Sequence, residues 1–533
     1  MKPQRKEKNN IHHRGTETQS SPRIINKFFL VILRAFESLW LKYFVVFRVL
    51  VGSFYNLIMA LRFYNTLGKK KEGFTPLEKG KVGLYTCGPT VYDYAHLGNF
   101  RAYVFEDLLR RYLEYKGYRV TQVMNITDVD DKTIKGAKEK GVALAQYTKK
   151  YEDAFFEDIK TLNIKKANYY PKATGHIQEM VNLIKRLLEK NYAYTKDGSI
   201  YFSVKKFPAY GKLSGVDLSQ MKEGERADFD EYQKEDIKDF CLWKKAKEGE
   251  PSWETEIGQG RPGWHIECSA MSMKYLGESF DLHTGGADNI FPHHENEIAQ
   301  SQAATGKQFV KFWLHCAYLL VNNEKMAKSK GNFYTLRDLL NKGYHPITIR
   351  YLLLSTHYRA PLNFNFEGLA QGRATVDRIG DFYSRLNWMT KQGKFKGYNR
   401  ILSDKVTKTK KDFEESLDDD LNISAALASL FGLIKETNIA LEGRNLNKKN
   451  IDEVLQTLKE FDKVLGFLGF EGVYRRKKTK EDEETLEIFK LIAQRDEARR
   501  KKEFKKADEI RKKLLKKGIV LEDTKEGVRW KRK

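Results

Sequence analysis

The stretch that most constrains the fold of this chain is a strand–loop–helix–strand unit. Lys81–Thr86 is a short apolar and β-branched run, which predicts a buried strand. Apolar residues then recur at helical spacing from Phe100 until Gly117 ends the pattern, and Tyr118–Ile126 predicts a second strand. Such a unit presents its first loop and its helix N-terminus at the carboxyl edge of a sheet, where nucleotides bind.

The loop of this unit carries residues that could take part in chemistry. It contains His96, Gly98 and Asn99, with Cys87 nine residues before the histidine. A histidine can donate a proton or hydrogen bond to a reacting group, and a glycine lets a ligand approach the backbone closely. Taken alone, the segment could equally be a plain turn, so its interpretation depends on partners elsewhere in the chain.

A second set of residues has the composition of a metal site. His293 and Glu297 are four positions apart, just after Pro292, and this spacing predicts that both side chains lie on one face of a helix. Cys87 and Cys268 are each expected at a strand end or in a loop. Two thiolates, an imidazole and a carboxylate suit tetrahedral zinc. Spacing leaves alternatives open, because isolated cysteines are often buried as small apolar residues and Glu297 could simply favour a helix N-terminus.

A pair of lysines, Lys325 and Lys328, stands before Gly331-Asn332, which predicts a flexible turn. Two cations on a mobile loop could neutralise phosphate oxygens. In a lysine-rich chain the same pair could also be solvated surface.

The charge of the chain indicates its kind of partner. It has 533 residues and a net charge of +25, spread through segments that are expected to fold. This favours a polyanion, nucleic acid before membrane, although a general lysine bias would give the same total. Four cysteines are too few and too far apart for a disulfide framework, which favours a reducing compartment and a cytoplasmic location.

The first 58 residues do not fit the pattern of the rest and leave three interpretations open. The longest uncharged run there, Val49–Leu61, has 13 residues, whereas a membrane-spanning helix needs ~20. The segment could follow from a start codon assigned too far upstream, associate with a membrane surface, or be a targeting peptide.

Five motifs, in order along the chain, carry a resemblance to a known family. His96-Leu-Gly-Asn99 resembles the His-Ile-Gly-His signature of class I aminoacyl-tRNA synthetases, and Lys325-Met-Ala-Lys-Ser329 resembles their Lys-Met-Ser-Lys-Ser loop. Cys87–Asp93, Gly263–Met271 and Phe291–Glu297 are similar to segments of cysteinyl-tRNA synthetases specifically. Two positions depart from the signatures, because an asparagine stands at the second histidine and an alanine, Ala327, at the first serine.

The resemblance implies an α/β fold: a Rossmann-type nucleotide-binding catalytic domain with an insertion, then an all-α helical bundle and a small C-terminal anticodon-binding domain. The expected boundaries are 1–58 for the N-terminal extension, 59–305 for the catalytic domain with its insertion at about 165–255, 306–375 for the signature-loop and stem-contact region, 376–470 for the bundle, and 471–533 for the anticodon-binding domain. Within the insertion, Ala193–Ser203 predicts a hairpin with Asp197-Gly198 as its turn, and within the bundle Ser424 is the predicted N-cap of a helix. The segment from Thr485 onward has 18 lysines and arginines against 9 acidic residues, as an RNA-binding surface requires.

The same resemblance assigns roles to individual residues. The ATP site would comprise His96, Gly98, Asn99, Lys325, Lys328 and Ser329, of which His96, Asn99, Lys325 and Lys328 would be catalytic. The cysteine pocket would include Thr127, Trp264 and His283. The zinc ligands would be Cys87, Cys268, His293 and Glu297.

The resemblance therefore implies a monomeric cysteine–tRNA ligase that uses one zinc ion per chain and Mg²⁺ with ATP. L-cysteine would be activated as its adenylate and transferred to the terminal ribose of tRNA(Cys), at the 2′-hydroxyl as in class I enzymes. One alternative is a cysteine ligase that passes the same adenylate to a small amine. A non-catalytic RNA-binding relative would be expected to lack the lysine pair, the histidine or the ligands, and none is missing.

Overall fold

The structure is a computed structural model, and it describes residues 61–533 apart from several gaps. The gaps are 218–235, 237, 393–396, 444, 469–486, 489–490, 493, 496–497, 500, 502, 525–526 and 533. The predicted N-terminal extension, 1–58, lies outside the described residues.

Strands and helices alternate along the first part of the described chain. The strands are β1 (Arg62–Asn65), β2 (Lys70–Gly73), β3 (Lys81–Thr86), β4 (Arg119–Met124), β5 (Ala193–Lys196), β6 (Ser199–Phe202), β7 (Phe240–Lys244), β8 (Arg261–Pro262), β9 (Phe280–Gly286), β10 (Val310–Cys316), β11 (Leu319–Val321) and β12 (Glu324–Lys325). The helices are α1 (Leu97–Tyr115), α2 (Asp131–Lys140), α3 (Leu144–Thr161), α4 (Ile177–Glu189), α5 (Trp264–Leu276) and α6 (Glu295–Thr305).

A four-stranded parallel sheet organises this part of the molecule. Its order is β10-β9-β3-β4, with α1 connecting β3 to β4 as the sequence predicted. The helical repeat that begins at Phe100 is buried throughout, including Val104, Leu108 and Tyr112. The α/β prediction is therefore confirmed. From the two central strands the chain continues towards opposite edges of the sheet, from β3 to β4 and from β9 to β10.

A separate antiparallel sheet is formed by the part of the chain between β4 and β9. Its order is β5-β6-β7-β8; β5, β6 and β7 lie within the predicted insertion at about 165–255, whereas β8 follows it. The predicted hairpin is confirmed, because β5 pairs with β6 across Asp197 and Gly198. Both turn residues have positive φ, +52° and +82°, as a tight two-residue hairpin turn requires.

The second part of the described chain is mainly helical. Its elements are α7 (Leu336–Asn341), α8 (Pro346–Leu354), β13 (Leu362–Phe364), α9 (Phe366–Gln392), α10 (Arg400–Asp418), α11 (Ile423–Glu442), α12 (Lys448–Leu465), α13 (Phe504–Lys516), β14 (Ile519–Thr524) and β15 (Gly527–Arg532). The N-cap prediction at Ser424 is wrong: α11 starts two residues earlier, where the side chain of Asn422 accepts a hydrogen bond from the Ala425 N–H at 3.2 Å. Both are good capping residues, and the turn after α10 decided between them.

The C-terminal elements form a small core of their own. β14 and β15 pair as an antiparallel hairpin after α13. Buried aliphatic residues connect them, including Ile510, Leu514 and Leu521. Among the residues that the structure describes, no helix is long and apolar enough to cross a membrane.

Candidate active site and metal centre

A pocket of about 460 Å³ lies at the carboxyl edge of the parallel sheet. Residues that end or follow all four strands line it: Cys87 after β3, Asn125 after β4, Gly286 at the end of β9 and Ala317 after β10. Because β3 and β9 are neighbours whose connections run to opposite sides, this is the topological switch point where open α/β sheets bind ligands.

His96 stands at the rim of the pocket as the N-cap of α1. The Nδ1 atom of its ring accepts a hydrogen bond from the backbone N–H of Asn99 at 3.2 Å, and the backbone N–H of His96 donates to Asn99 Oδ1 at 3.0 Å. Burial lowers the pKa of His96, so the ring is neutral at neutral pH. Since Nδ1 is the acceptor, the ring proton lies on Nε2, which is left to donate to a ligand.

Gly98 and Asn99 both line the pocket, and the structure gives a local reason for each. A Cβ on Gly98 would lie 2.9 Å from two atoms of the His96 ring, so the glycine makes room for the imidazole. The carboxamide of Asn99 completes the reciprocal cap. An asparagine at the family's second histidine position therefore preserves the shape of the helix start.

The end of β12 and the turn after it place the two lysines differently. Lys325, the last residue of β12, lines the pocket, whereas Lys328 and Ser329, in the turn that follows, lie outside its lining; all three are exposed. The Lys328 ammonium forms an ion pair with Asp93, and this hydrogen bond raises the pKa of Lys328. Gly331, with φ of +67°, closes the turn over Lys328–Lys330. The predicted turn is thus present, with one lysine at the pocket and one beside it.

The four predicted metal ligands meet at the pocket floor. The ligand atoms of Cys87, Cys268, His293 and Glu297 all lie within 4.8 Å of one another. Cys87 follows β3, as expected, but the prediction of a strand end or loop for Cys268 is wrong, because Cys268 lies inside α5. His293 belongs to a short helical turn, Ile290–His294, that leads directly into α6. Four separate positions therefore converge because a strand end and two helix starts share one sheet edge.

The electrostatics of this cluster favour a divalent cation. Burial opposes ionisation of Glu297, but neighbouring His283 and His293 lower the pKa of Glu297 to about 2. The hydrogen bond from Cys87 lowers the pKa of Cys268 to about 6, and the same bond raises the pKa of Cys87 well above its usual range. Without a metal, the cluster thus shares protons between anionic ligands, and a cation would displace them.

One further observation tests whether these residues fit a metal. Glu297 is fully buried, and its Oε1 lies 3.1 Å from His293 Nε2 but accepts no hydrogen bond of acceptable angle from any described residue. A buried carboxylate oxygen left without a donor is costly unless a cation is close. The oxygen, the imidazole and the two sulfurs form a donor set suited to zinc.

Thr127 and Trp264, both expected in the cysteine pocket, line this cavity. The Thr127 hydroxyl donates to Glu267 Oε2 at 2.9 Å and accepts from Asn125 Nδ2 at 3.2 Å, so its orientation is held. The indole of Trp264 stacks on the His293 ring, with centroids 4.3 Å apart.

His283 is the third residue expected in the cysteine pocket. It is fully buried and does not line the cavity. Its Nε2 lies 2.9 Å from Glu297 Oε2, and its ring stacks on Trp313 at 4.5 Å. The geometry makes His283 a support for the candidate ligand Glu297.

Two further histidines, His294 and His315, lie beside the cluster and were not predicted from the sequence. His294 Nε2 lies 3.2 Å from Cys87 Sγ, and its Nδ1 lies 2.7 Å from His315 Nε2. Burial lowers the pKa of His294 well below its usual range and that of His315 to about 3, so both are neutral. A second set of ligand types therefore also lies within 4.8 Å, namely Cys87, His283, His294 and Glu297. The one available signal was the adjacency of His294 to His293.

Family models match three consecutive parts of the chain. Residues 73–374 match the model described as "tRNA synthetases class I (C) catalytic domain". Residues 412–469 match the DALR domain, and residues 481–530 match the "Cysteinyl-tRNA ligase anticodon binding domain".

Curated relatives are similar over most of their length. A cysteine–tRNA ligase of Brachyspira hyodysenteriae is 50% identical over 475 residues, which cover 88% of this chain and 99% of that protein. A cysteine–tRNA ligase of Solibacter usitatus is 49% identical over 477 residues, covering 89% of this chain and all of that protein.

Solved structures share the fold at low sequence identity. Mycobacterium tuberculosis methionyl-tRNA synthetase in complex with methionyl-adenylate matches with a TM-score of 0.55 at 15% identity, over 77% of this chain and 94% of that one. An Agrobacterium radiobacter LeuRS in a complex with tRNA and LeuAMS matches with a TM-score of 0.54 at 10% identity, over 76% of this chain and 86% of that one.

Proposed function

The chain belongs to the cysteine–tRNA ligase family of class I aminoacyl-tRNA synthetases, and from this premise we propose that its pocket activates L-cysteine with ATP and transfers it to tRNA(Cys). The observation that carries the proposal is one shared cavity. Cys87, Cys268 and His293 lie at its floor, while His96 and Lys325 lie at its rim. A site for a thiol and a site for phosphates are thus parts of one pocket.

We propose that Cys87, Cys268, His293 and Glu297 hold one zinc ion. This set is preferred over the alternative one because three of its members line the pocket, whereas only Cys87 of the other set does. When bound, zinc supplies a soft Lewis acid that takes a thiolate in preference to a neutral hydroxyl. Shape alone would separate cysteine from serine by only about 1–3 kcal/mol, which is too little for translation.

The residues around the cluster would hold the amino acid in place. Trp264 covers His293 and gives the pocket an apolar wall against the side chain of cysteine. Thr127, oriented by Glu267 and Asn125, presents a fixed polar edge beside it. His283 would act indirectly, by holding the carboxylate of Glu297.

The first step would join the cysteine carboxylate to the α-phosphorus of ATP and expel pyrophosphate. No covalent contribution from the protein is required, so catalysis consists of positioning and charge stabilisation. His96 Nε2–H would donate to the phosphates from the rim, with Gly98 and Asn99 holding the helix start in shape. Lys325, Lys328 and Ser329 would reach the leaving pyrophosphate from their loop, and Mg²⁺ would accompany ATP as its counter-ion.

The second step would transfer the cysteinyl group to the 2′-hydroxyl of the terminal adenosine of tRNA(Cys). The match of residues 481–530 to an anticodon-binding domain, together with the basic composition from Thr485 onward, supports tRNA as the acceptor. A small-amine acceptor would need no such extension.

The domain boundaries predicted from the sequence stay part of this proposal, as does a monomeric state. All four cysteines are free thiols. A cytoplasmic location, where thiols stay reduced, is therefore the location we propose.

Cysteine-dependent exchange of pyrophosphate into ATP tests the first step, and charging of a tRNA(Cys) transcript tests the second. We expect exchange with cysteine, little with serine, and charging of tRNA(Cys) in preference to other transcripts. Exchange without any charging would favour the small-amine ligase, and no exchange with cysteine would refute the proposal.

A further inference from the structure

Beside the pocket mouth, four neighbouring tyrosines form a surface that the adenylation chemistry does not use. This tyrosine ledge consists of Tyr92, Tyr94, Tyr147 and Tyr151. Tyr92 and Tyr94 line the pocket, whereas Tyr147 and Tyr151 come from α3 and lie outside its lining. The ring centroids of Tyr94 and Tyr151 are 5.3 Å apart, and those of Tyr147 and Tyr151 are 5.2 Å apart. The ledge therefore extends the pocket wall outward.

The ledge is held in shape by a specific contact. The Tyr147 hydroxyl donates to the backbone carbonyl of Tyr92 at 2.7 Å. To reach it, the Tyr147 ring crosses α2 at Gly136, where a Cβ would lie 2.2 Å from the hydroxyl oxygen. A glycine inside a helix costs about 1 kcal/mol relative to alanine, and here it makes room for Tyr147.

Cations lie over the rings. Lys150 Nζ is 5.2 Å from the centroid of Tyr151 and 5.8 Å from that of Tyr94, and Lys132 Nζ is 5.3 Å from that of Tyr92. Among the described residues, neither lysine forms an ion pair with a carboxylate. Both charges are thus exposed beside aromatic faces and are available to a polyanion.

We propose that the tyrosine ledge binds the unpaired nucleotides at the 3′ end of the tRNA, with their bases against the rings and their phosphates near Lys132 and Lys150. This inference rests on the proposed function: if the terminal adenosine enters the pocket, the nucleotides before it must cross the pocket mouth. Aromatic side chains beside cations are the usual surface for single-stranded nucleic acid. ATP is a poorer candidate, because Tyr147, Tyr151 and Lys150 lie outside the pocket that would hold it.

The test measures binding of two transcripts, tRNA(Cys) and the same RNA without its three 3′-terminal nucleotides, to the full-length protein and its variants. For the wild type, truncation should weaken binding about 10-fold or more, the range expected for lost stacking. Tyr151→Ala should weaken binding of the intact tRNA by a similar factor and make truncation of the RNA almost without further effect. Tyr151→Phe keeps the ring and should behave as the wild type.

Two controls separate the ledge from general effects. Tyr169→Ala removes an exposed tyrosine away from the pocket lining and should leave the response to truncation unchanged. Cysteine-dependent pyrophosphate exchange should stay within about 2-fold of wild type in Tyr151→Ala, which also shows that the variant is folded, since exchange requires a formed pocket.

Three outcomes would overturn the inference. Tyr151→Ala could still lose affinity on RNA truncation as the wild type does. It could weaken both transcripts equally, which would mean a general basic surface. It could also lose exchange as strongly as tRNA binding, which would place the ledge in adenylation. Failure of the proposed function is distinguishable, because it would appear in the wild type as absent exchange or absent charging.

Discussion

The metal cluster and the lysine loop border the same pocket but are built in opposite ways. Three members of the cluster are buried and Cys87 is half-buried; they converge from the end of β3, α5 and the start of α6, and His283 contacts Glu297. The loop over Lys325–Ser329 is mostly exposed, and Lys328 is held by an ion pair with Asp93.

This difference follows from what each region must do. A site that separates sulfur from oxygen needs ligands whose geometry is set before the substrate arrives, and packing supplies it. Lysines that meet a charge developing on a leaving group need freedom to approach it. An exposed ion pair is worth only about 0–1 kcal/mol, so Lys328 can exchange Asp93 for phosphate at little cost.

The largest effect should come from removing a ligand of the metal cluster. Cys268→Ser should lose most of the bound zinc and reduce cysteine-dependent exchange by more than about 100-fold, because a neutral hydroxyl is a poor ligand at a buried soft site. Metal analysis and exchange assays on the same preparation measure both. A zinc-free preparation with full activity would refute a role for zinc in cysteine activation.

Removing a lysine from the lysine loop should reduce activity without reducing the zinc content. Lys328→Ala should lower the exchange rate by about 100-fold, the usual loss for one group that stabilises transition-state charge. Zinc content and melting temperature should stay at wild-type values, since Lys328 is exposed. Lys330→Ala, two residues away and paired with Glu324, is the matched control and should change exchange by less than about 2-fold. Equal losses in both variants would contradict a specific role for Lys328.

The support behind the cluster should show an intermediate effect. His283→Ala removes the partner of Glu297 Oε2, so zinc affinity should fall about 10-fold or more, as for other residues that orient metal ligands. Competition against a chelator measures the affinity. Excess zinc should restore much of the exchange in this variant but not in Cys268→Ser. If zinc affinity is unchanged, Glu297 is positioned without His283.

The smallest effect concerns the free energy of unfolding as a function of pH, which depends on the buried carboxyl group of Glu106. Glu106 is buried, accepts a hydrogen bond from the Thr284 hydroxyl, and has a pKa that burial raises to about 8. Since the folded pKa lies above the unfolded value of about 4.3, the wild type has its full stability below that value and loses part of it as pH rises towards 8. Glu106→Gln removes this dependence.

Thermal unfolding of the two proteins at pH 5 and pH 8 tests this. The free energy of unfolding of Glu106→Gln, relative to that of the wild type, should increase from pH 5 to pH 8 by about 1–3 kcal/mol at most. The neighbouring Asp107 gives the contrasting case: burial opposes its ionisation, yet Arg350 and Arg111 hold the pKa of Asp107 below its usual range. Asp107→Asn should therefore destabilise the protein at both values. A pH-independent difference for Glu106→Gln would contradict the raised pKa.

Local patterns were enough to predict the elements that depend on them. The helical repeat from Phe100 predicted α1, and Asp197-Gly198 predicted a hairpin, because backbone conformation there follows side-chain spacing and turn chemistry. Element ends were less determined: Asn422 and Ser424 are both good caps, and packing after α10 selected the first. The prediction for Cys268 failed for a related reason, since its helix is buried on every face from His265 to Ser272 and shows no amphipathic period there.

The chemical groups available to this protein, the βαβ unit that presents them and the family whose motifs the chain shares could all be predicted from the sequence. Which of these groups are in contact could not, because contacts depend on how the elements pack. His283 is in contact with Glu297, and Tyr151 packs against Tyr94, 57 positions earlier in the chain. The reason is physical: spacing along the chain sets which face of a helix or strand a residue occupies. Which faces are in contact depends on the order of strands in the sheet, and local sequence patterns do not determine that order.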